Sequence, residues 1–412
     1  MSEDRYDLVI VGGGIGGGAL AATMARAGRR VLLLEKSPAY EDRVRGEWIA
    51  PWGMAEVRRL GLEQVLVDAG GHFLKRHITF DESLPPDVAE ANASSLDVFL
   101  PRVSGPLCIR HPVHCEALFA EAGRAGAETL RPVHVEAFEA GASPSVTFTH
   151  DGRRRTVRAE LVVGADGRTS MVREACGVTL HQDAPHHWFA GLLVDGAGGW
   201  DEHLQAIGTE GEFGFLAFPQ GGGRVRLYGG FPLNDRSRFS GADGTRRFLD
   251  SFRMTSSPRN GALADGAPAG PLLRYINADS WTDAPFAPGA VLVGDAAGWN
   301  DPIIGLGLSI TYRDVRLVSD ILKESADWSR IDFTPYAEER AERMRRLRLS
   351  ASLQATFDME FGEAARARRK RFRERAAADP SLRLNSIAIM AGPEMAPAEA
   401  FTDAWRQHVL EG

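Results

Sequence analysis

The hydrophobic positions near the start of the chain predict a strand, a turn, a helix and a second strand. Residues 8–11 and 31–34 are continuously apolar rather than alternating, which is typical of parallel strands that are covered on both faces. Residues 161–163 and 291–293 are two later apolar runs, and each stops at a glycine and an aspartate. We therefore expect these four runs to be strands of one parallel sheet.

Residues 181–284 have a different pattern. Apolar stretches such as WFAGLLVD, FGFLAFP and RVRLYGGF are separated there by glycine-rich turns, which is typical of antiparallel strands. Within residues 72–104, HFLKRHITFDE resembles one further strand and SLDVFLPRV a second one. We expect a mostly antiparallel sheet that is inserted between the elements of the parallel sheet.

The last part of the chain predicts helices. Residues 336–378 are rich in helix formers and contain no proline, so we expect one or two long helices there, followed by a proline-broken cap and a short helix. The basic run at residues 366–375 raises the alternative of a nucleic-acid or membrane-surface patch. Because acidic residues lie close to it and no aromatic ladder accompanies it, we interpret this run as a solvated helix face.

Composition narrows the class of protein. The 412 residues include 45 glycines and are 44% hydrophobic and 25% charged, which excludes a disordered chain, a coiled coil and a collagen-like repeat. A net charge of −7 argues against a nucleic-acid partner. Three cysteines without CxxC spacing support neither a disulfide framework nor a metal site. With no signal-like N-terminus and no long apolar run, we expect a cytoplasmic protein without membrane insertion.

The first glycine turn carries the clearest chemistry. Residues 12–17 read GGGIGG and satisfy G-x-G-x-x-G directly after a predicted strand. Gly12 permits the tight turn, Gly14 lets backbone amides approach a pyrophosphate, and Gly17 allows close helix packing. Glu35 lies at the end of the second strand, 21 residues after Gly14, near the ~20 expected for the acid that binds ribose hydroxyls. The sequence therefore predicts a dinucleotide site that also involves Ile15 and Gly16.

Two further turns follow strand ends, at residues 164–167 (GADG) and 294–298 (GDAAG). With the first turn they give three motifs in an order that resembles the flavoprotein monooxygenases of the para-hydroxybenzoate hydroxylase superfamily, over roughly residues 5–330. The resemblance implies that FAD is the cofactor. It implies that Asp166 lies near the junction of FAD and nicotinamide binding and that Asp295 hydrogen-bonds the ribityl chain, although Asp295 is also placed to cap a helix.

The resemblance assigns more residues to FAD. Pro302 and the following loop would lie against the flavin ring and offer backbone amides to its N1 and O2 edge, where such donors stabilise negative charge on the reduced ring. Residues 43–46 (RVRG) resemble a segment that contains Arg43 and whose second arginine, Arg45, would contact the pyrophosphate. Arg110 would open a helix on the FAD side, and the backbone of Val135 would touch adenine. The residues of the loop after Pro302 are Gly305, Gly307, Leu308 and Ser309.

The resemblance also implies the fold and its division. We expect an α/β protein with a Rossmann-like FAD-binding domain at residues 1–71, 105–180 and 285–332. The inserted substrate domain, an α+β layer with a mostly antiparallel β-sheet, would occupy residues 72–104 and 181–284. A helical C-terminal segment would occupy residues 333–412.

The activity implied is that of an FAD-dependent monooxygenase. Reduced flavin would react with O2 to give a C4a-hydroperoxide, which delivers one oxygen atom to an apolar, aromatic or polyketide-like small molecule by hydroxylation or epoxidation. Because the protein's tasks are then placement and water exclusion, no acid-base dyad is required and we assign no catalytic residue. The aromatic residues expected to line the substrate pocket are Trp48, Trp52, Phe215, Tyr228 and Trp299.

The electron source has two alternatives. Since the chain has one G-x-G-x-x-G, NAD(P)H would either dock transiently or reduce the flavin through a separate flavin reductase. Both alternatives keep a small-molecule substrate and O2 as the reaction partners.

Departures from the hydroxylase pattern leave other activities open. Gly298 and the Asp301-Pro302 pair resemble geranylgeranyl-reductase-like and epoxidase relatives, so a flavin-dependent reductase is one alternative. A flavin halogenase is a second, with Lys75 in a plausible lysine position, but residues 214–219 lack the tryptophans of the halogenase segment. The third is a flavin-binding protein without catalysis.

Overall fold

The structure, a computed structural model, describes residues 5–44, 46–276 and 278–411. Its strands are β1 (Arg5–Val11), β2 (Val31–Leu34), β3 (Trp48–Ile49), β4 (His72–Phe73), β5 (Arg76–Asp81), β6 (Ser94–Ser95), β7 (Leu107–Cys108), β8 (Glu128–Leu130), β9 (His134–Glu139), β10 (Ser145–His150), β11 (Arg153–Gly164), β12 (His181–Gln182), β13 (Trp188–Asp195), β14 (Leu204–Glu210), β15 (Phe213–Gly221), β16 (Arg224–Phe231), β17 (Ala267–Pro268), β18 (Leu273–Ile276), β19 (Ser280–Trp281), β20 (Phe286–Ala287) and β21 (Ala290–Leu292).

The α-helices surround these strands, and short 3-10 turns connect several of them. The helices are α1 (Ile15–Arg26), α2 (Pro51–Arg59), α3 (Glu63–Asp68), α4 (Pro86–Ala91), α5 (His111–Arg124), α6 (Met171–Ala175), α7 (Gly244–Asp250), α8 (Gly261–Ala264), α9 (Gly307–Glu324), α10 (Thr334–Asp358), α11 (Glu363–Ala378), α12 (Leu384–Ala391) and α13 (Asp403–Glu411). None of the helices in the described ranges has the length and apolar content that a membrane span needs.

The first large sheet has the strand order β20-β21-β11-β1-β2-β8, and β10 and β9 extend it from β11. Strand β1 pairs in parallel with β2 and β11, and β11 pairs in parallel with β21. The four apolar runs of the sequence are therefore strands of one parallel sheet, as predicted. Both faces are covered: Leu8 and Ile10 pack into one core cluster, and Val9 and Val11 into another. This explains why the runs are continuously apolar.

The second large sheet has the strand order β17-β13-β16-β15-β14-β5-β6, with β18 also paired to β13. Its pairings are antiparallel except for β5 with β14, which is parallel. The mostly antiparallel sheet is thus confirmed. The domain boundaries at 72–104 and 181–284 enclose its strands and stay predictions.

The prediction of one strand in this sheet is wrong. Of SLDVFLPRV only Ser95, in the two-residue strand β6, is extended in a ladder, and residues 96–103 form a loop. Pro101 has no amide hydrogen to donate to a ladder, and Arg102 has a positive φ of 64°, which ends extended structure. The hydrophobicity of this stretch had indicated a strand that its backbone does not form.

The C-terminal segment forms two long helices, α10 and α11, which are separated at Gly362 with a φ of 88°. The interpretation of the basic run as a solvated face is wrong for part of α11. Arg369 is 5% exposed and binds Asp81 and Glu82 on the turn after β5. Arg373 lies 3.2 Å from Asp81, and Arg366 lies 2.9 Å from Glu82. These arginines attach α11 to the second sheet.

Candidate functional site

A single cavity of about 1620 Å³ connects the first glycine turn, the second sheet and the C-terminal helices. Pockets for one small molecule usually measure ~300–1,000 Å³. The volume therefore has room for a cofactor together with a second molecule.

The turn between β1 and α1 is built by close backbone approach. A Cβ atom on Gly12 would lie 2.4 Å from the carbonyl oxygen of Ala165, and one on Gly17 would lie 1.8 Å from the carbonyl oxygen of Gly12. At Gly14 a Cβ atom would meet no atom within 4 Å, because this residue faces the cavity. Helix α1 begins at Ile15 and no side chain caps it. The N–H groups of its first turn and the helix dipole form an end that favours an anion.

Glu35 follows β2 and holds this turn. Its carboxylate accepts hydrogen bonds from the backbone N–H of Gly13 at 2.7 Å and of Ser37 at 2.8 Å. The side chain is buried but lines the cavity. A carboxylate fixed in this way presents acceptor oxygens beside the start of α1.

The second and third turns meet beside the cavity. Asp166 accepts hydrogen bonds from the N–H groups of Met171 and Val172, at 2.8 and 3.3 Å. Its Oδ1 atom has no partner within the part of the chain that the structure describes, and burial raises the pKa of this carboxyl group above its usual value. Arg168 bridges to the third turn, with Nε 3.2 Å from Asp295 Oδ2.

The loop after the third turn presents backbone to the cavity. Pro302–Ile304 is a 3-10 turn whose N-cap, Asp301, accepts a hydrogen bond from the N–H of Ile303 at 2.9 Å. Gly305 has a φ of 66°, and a Cβ atom there would lie 3.0 Å from the ring of Trp48. Helix α9 begins at Gly307. Since glycine alone fits this conformation and this contact, the loop packs directly on Trp48.

A buried polar cluster supports the loop from behind. Asp279 accepts hydrogen bonds from Asn300 Nδ2 at 2.7 Å and from the N–H of Asp301 at 2.8 Å. His187 Nε2 lies 3.6 Å from Asp301 Oδ1. Burial raises the pKa of Asp301 to about 7 and lowers the pKa of His187 to about 3. Between about pH 3 and pH 7 this contact therefore joins two neutral groups and is not an ion pair.

The cavity wall opposite the glycine turn is one face of the second sheet. Successive side chains of a strand point to opposite faces, so alternate residues line the cavity. The strands β5 and β14 contribute polar groups, and β13, β15, β16 and β18 contribute apolar and aromatic ones. The residues that line the wall include His77, Thr79, Gln205, Ile207, Thr209, Phe189, Leu216, Phe218, Tyr228 and Tyr275.

A buried ion pair closes one side of this wall. Arg226 donates to Glu47 through two of its three guanidinium nitrogens, with Nε 2.5 Å from Oε2 and Nη2 3.0 Å from Oε1. Nη2 also donates to Asp42 at 2.6 Å. The hydroxyl of Tyr228 lies 3.4 Å from the same carboxylate. Burial raises the pKa of Glu47 and Arg226 opposes this effect. The pair links the segment after β2 to strand β16.

Most residues predicted to form the site line this one cavity. On the cofactor side these are Gly12, Gly14, Ile15, Gly16, Glu35, Arg43, Val135, Asp166, Asp295, Pro302, Gly305, Gly307 and Leu308. On the substrate side these are Trp48, Tyr228 and Trp299.

Two aromatic predictions are wrong. Phe215 alternates with Leu216 and Phe218 along β15, so it points away from the cavity into an aromatic core with Phe80 and Phe252. Trp52 is 1% exposed, and its Nε1 donates to the carbonyl oxygen of Ile389 at 3.1 Å. Its ring packs under the C-terminal segment and does not border the cavity.

Several predicted cofactor residues lie outside the cavity lining. Ser309 faces α2, where its Oγ accepts a hydrogen bond from the N–H of Ala50 at 3.1 Å. Arg110 is the N-cap of α5 and is exposed. Gly17 acts by its close packing on Gly12. Arg45 lies outside the described residues.

The predictions from sequence missed most of the substrate side. His77, Thr79 and Gln205 have a sequence signal, because polar residues alternate with apolar ones along β5 and β14. The cavity residues of α10 to α12, among them Phe357, Phe372, Ile389 and Met390, have none, since a helix that packs on a cavity has the same apolar pattern as one that packs on a core.

The fold and the three glycine turns define a dinucleotide-binding protein with an inserted sheet, and residues 5–349 match the family model described as "FAD binding domain". The chain therefore belongs to this FAD-binding family, and its resemblance to the flavoprotein monooxygenases of the para-hydroxybenzoate hydroxylase superfamily is confirmed.

Relatives and solved structures with assigned activities resemble this chain. It is 24% identical over 337 residues to squalene epoxidase 3 of Arabidopsis thaliana, with 79% of this chain and 62% of the epoxidase covered. It is 26% identical to menaquinone reductase of Mycolicibacterium smegmatis, with 77% and 76% covered. The chain thus spans less than two thirds of the epoxidase. The crystal structure of p-nitrophenol 4-monooxygenase PnpA from Pseudomonas putida has 18% identity, a TM-score of 0.76 and 98% coverage of both chains, which shows a shared fold.

Proposed function

We propose that the protein is a monooxygenase that uses FAD to insert one oxygen atom into an apolar, aromatic or polyketide-like small molecule. The observation that carries the proposal is the single cavity, which extends from the glycine turn to the mixed polar and aromatic face of the second sheet. A cofactor at one end and a substrate at the other would then be in contact within one cavity. A bound substrate would displace water from the cofactor, and oxygen transfer requires that water be excluded.

The residues at the glycine end suit FAD. The open position at Gly14 and the uncapped start of α1 would accommodate the pyrophosphate, and the carboxylate of Glu35 would accept hydrogen bonds from ribose hydroxyls. Asp166, with a buried oxygen that has no partner in the described chain, and Asp295 would accept from the sugar chain. The backbone at Pro302 to Gly307 would lie along the flavin. When bound, FAD supplies the redox chemistry and the reaction with O2.

The protein's own contribution is orientation and exclusion of water. Trp48 packs on Gly305 and also borders the sheet wall, so it would lie beside both the cofactor and the substrate. The sheet face and α10 to α12 would surround the substrate. We propose that NAD(P)H reduces the flavin, either directly or through a separate flavin reductase.

The proposal is tested in a single turnover. The FAD-loaded protein is photoreduced without oxygen and mixed with 2-naphthol in buffer saturated with ¹⁸O2, and the product is analysed by mass spectrometry with and without bromide. We expect a product that contains one ¹⁸O atom, whether or not bromide is present. A product that depends on bromide, or flavin reoxidation without any oxygenated product, would contradict the proposal.

A reductase that hydrogenates a double bond is the second candidate, favoured by the similarity to menaquinone reductase. Such an enzyme would add two hydrogens to its substrate and no oxygen. Incubation of the photoreduced protein with geranylgeraniol under argon and then under ¹⁸O2 separates the two candidates. A product that is heavier by two hydrogens under argon, formed by the protein and not by free reduced FAD at the same concentration, would favour the reductase.

A further inference from the structure

A chain of three hydrogen bonds crosses the cavity wall. Trp48 Nε1 donates to Gln205 Oε1 at 2.9 Å. Gln205 Nε2 lies 3.2 Å from His77 Nδ1, and His77 Nε2 lies 3.0 Å from Thr79 Oγ1. All four side chains line the cavity. The chain thus runs from the residue that packs on Gly305 to the strand β5.

The donor and acceptor roles in this chain follow from its first member. An indole N–H can only donate, so Gln205 turns its carbonyl oxygen to Trp48 and its amide nitrogen to His77. The amide nitrogen can only donate, so His77 Nδ1 accepts and carries no proton. The proton of the neutral imidazole is therefore on Nε2 and is donated to Thr79. Every hydrogen bond points in the same direction.

The environment of His77 favours this single form. Burial lowers the pKa of the imidazole to about 4, so the ring is neutral near neutral pH, and the part of it that is accessible faces the cavity. Protonation would place an N–H on Nδ1 against the N–H of Gln205, donor against donor. Desolvation and the hydrogen-bond chain therefore stabilise the same tautomer.

The chain ends at a proton that has no acceptor. Because the oxygen of Thr79 accepts from His77, its own hydroxyl proton is left for another group, and no acceptor for it is found among the described residues. Thr79 lies opposite Ile207 in the parallel pair, and Ile207 lies opposite Leu216. Thr79 is an exposed residue of the cavity wall, so water takes this proton when no ligand is bound. An apolar ligand that displaces this water has to supply an acceptor itself, or the donor is left unsatisfied.

We propose that Thr79 determines substrate specificity by donating a hydrogen bond to a carbonyl oxygen on an apolar ring system. This inference rests on the proposed function in taking the cavity as the substrate site, and it adds the substrate class. Trp48, Gln205 and His77 are positioning residues that orient the hydroxyl. A substrate with a C–H group at this point would leave the hydroxyl proton without an acceptor.

The experiment compares two ligands of the same shape. The two ligands differ at one position, where 2-acetylnaphthalene has a carbonyl oxygen and 2-isopropenylnaphthalene has a CH2 group. Each is titrated into the oxidised, FAD-loaded protein without any reductant, so no turnover occurs. We expect the wild type to bind the ketone about three- to tenfold more tightly, the range for one net hydrogen bond.

Variants identify the donor. Thr79→Val should bring the ratio of the two dissociation constants to about one, and Thr79→Ser should retain the preference. The control is Thr209→Val, because the Thr209 hydroxyl lies in the same wall but already donates to the carbonyl oxygen of Asp358 at 3.2 Å. An unchanged ratio in Thr79→Val, equal binding of both ligands to the wild type, or no binding of the ketone would overturn the proposal.

A second measurement does not depend on any ligand. In ¹⁵N NMR spectra of histidine-labelled protein, His77 should show the Nε2–H tautomer between pH 5 and 8. An Nδ1–H tautomer, or titration near pH 6.5, would overturn the direction of the chain. Because both measurements use oxidised protein, their failure leaves the oxygenation test standing, and failure of the oxygenation test leaves these binding results unaffected.

Discussion

The two ends of the cavity are made from different parts of the polypeptide. The end at β1 and α1 is main chain, and a single added carbon atom at Gly12 or Gly17 would collide with backbone. The opposite end is made of side chains from the second sheet and from α10 to α12. A backbone-built end has little tolerance for change, whereas a side-chain wall changes shape with each substitution. This difference supports the proposal that the cofactor binds at the first end and that the second end determines specificity.

The largest effect is expected at the backbone-built end. Gly17→Ala should prevent formation of the turn and abolish FAD binding, because its Cβ atom would lie 1.8 Å from a backbone oxygen. FAD content per chain and the urea unfolding curve of the purified protein measure this. Wild-type FAD content in this variant would show that close approach is not required.

Gly14→Ala is the matched control, since its Cβ atom meets open space. The free energy of unfolding of the apoprotein should fall by about 1 kcal/mol or less, as for a change at a helix N-cap. The free energy of FAD binding should weaken by more than the free energy of unfolding falls, because the added methyl group faces the cavity.

The second prediction compares the two faces of the second sheet. Phe215→Ala should reduce the free energy of unfolding by about 3–5 kcal/mol, as expected for a phenylalanine removed from a core, and leave ligand binding in the folded fraction near wild type. Phe218→Ala should destabilise less, because its ring borders an existing cavity, and should weaken 2-acetylnaphthalene binding. Urea unfolding and ligand titration check both, and an equal loss of stability in the two variants would contradict the assignment of faces.

The third prediction concerns the attachment of α11 to the sheet. Arg369→Ala should reduce the free energy of unfolding by about 3 kcal/mol, the low end of the range for breaking a buried ion pair. The low end is expected because Asp81 keeps Arg373 as a partner. Arg371→Ala, an exposed position on the same helix, should change stability by about 0.5 kcal/mol or less. If both variants unfold at the same urea concentration, α11 is not held by this pair.

The last effect is expected behind the loop that begins at Pro302, and it depends on pH. The folded pKa of Asp301 is raised to about 7, above its value of 3.8 in an unfolded chain, so the folded state keeps a proton that the unfolded state has lost. The stability from this group is present below pH 3.8 and is lost as pH rises through 7.

Asp301→Asn removes this titration and retains an acceptor for the N–H of Ile303. The stability of the variant relative to the wild type should rise as the pH is raised from 5 to 8, because only the wild type has to lose the proton of Asp301 in that range. Urea unfolding at both pH values tests it. A difference between variant and wild type that is constant with pH would show that Asp301 is ionised throughout.

The sequence predicts the backbone-built end well for a physical reason. Close approach of main chain is possible at glycine alone, so the spacing of Gly12, Gly14 and Gly17, together with the distance to Glu35, is enough to define the turn. The four parallel strands follow in the same way from continuous apolar runs.

The side-chain wall could not be predicted to the same extent. Phe215 and Phe218 look equivalent in the sequence, and only the register of β15 separates the core face from the cavity face. The basic run of α11 gave no sign that Asp81 and Glu82, almost 300 residues earlier, would neutralise it. Contacts between distant segments depend on the packed structure.

The central claim is that one cavity holds FAD and substrate in contact. Titration of 2-naphthol into the oxidised, FAD-loaded protein tests it most directly, with the flavin absorption spectrum as the readout and equilibrium dialysis as an independent measure of binding. We predict a spectral change that saturates at one 2-naphthol per FAD. Binding of 2-naphthol with an unchanged flavin spectrum would contradict the account, because the ligand would then lie away from the cofactor.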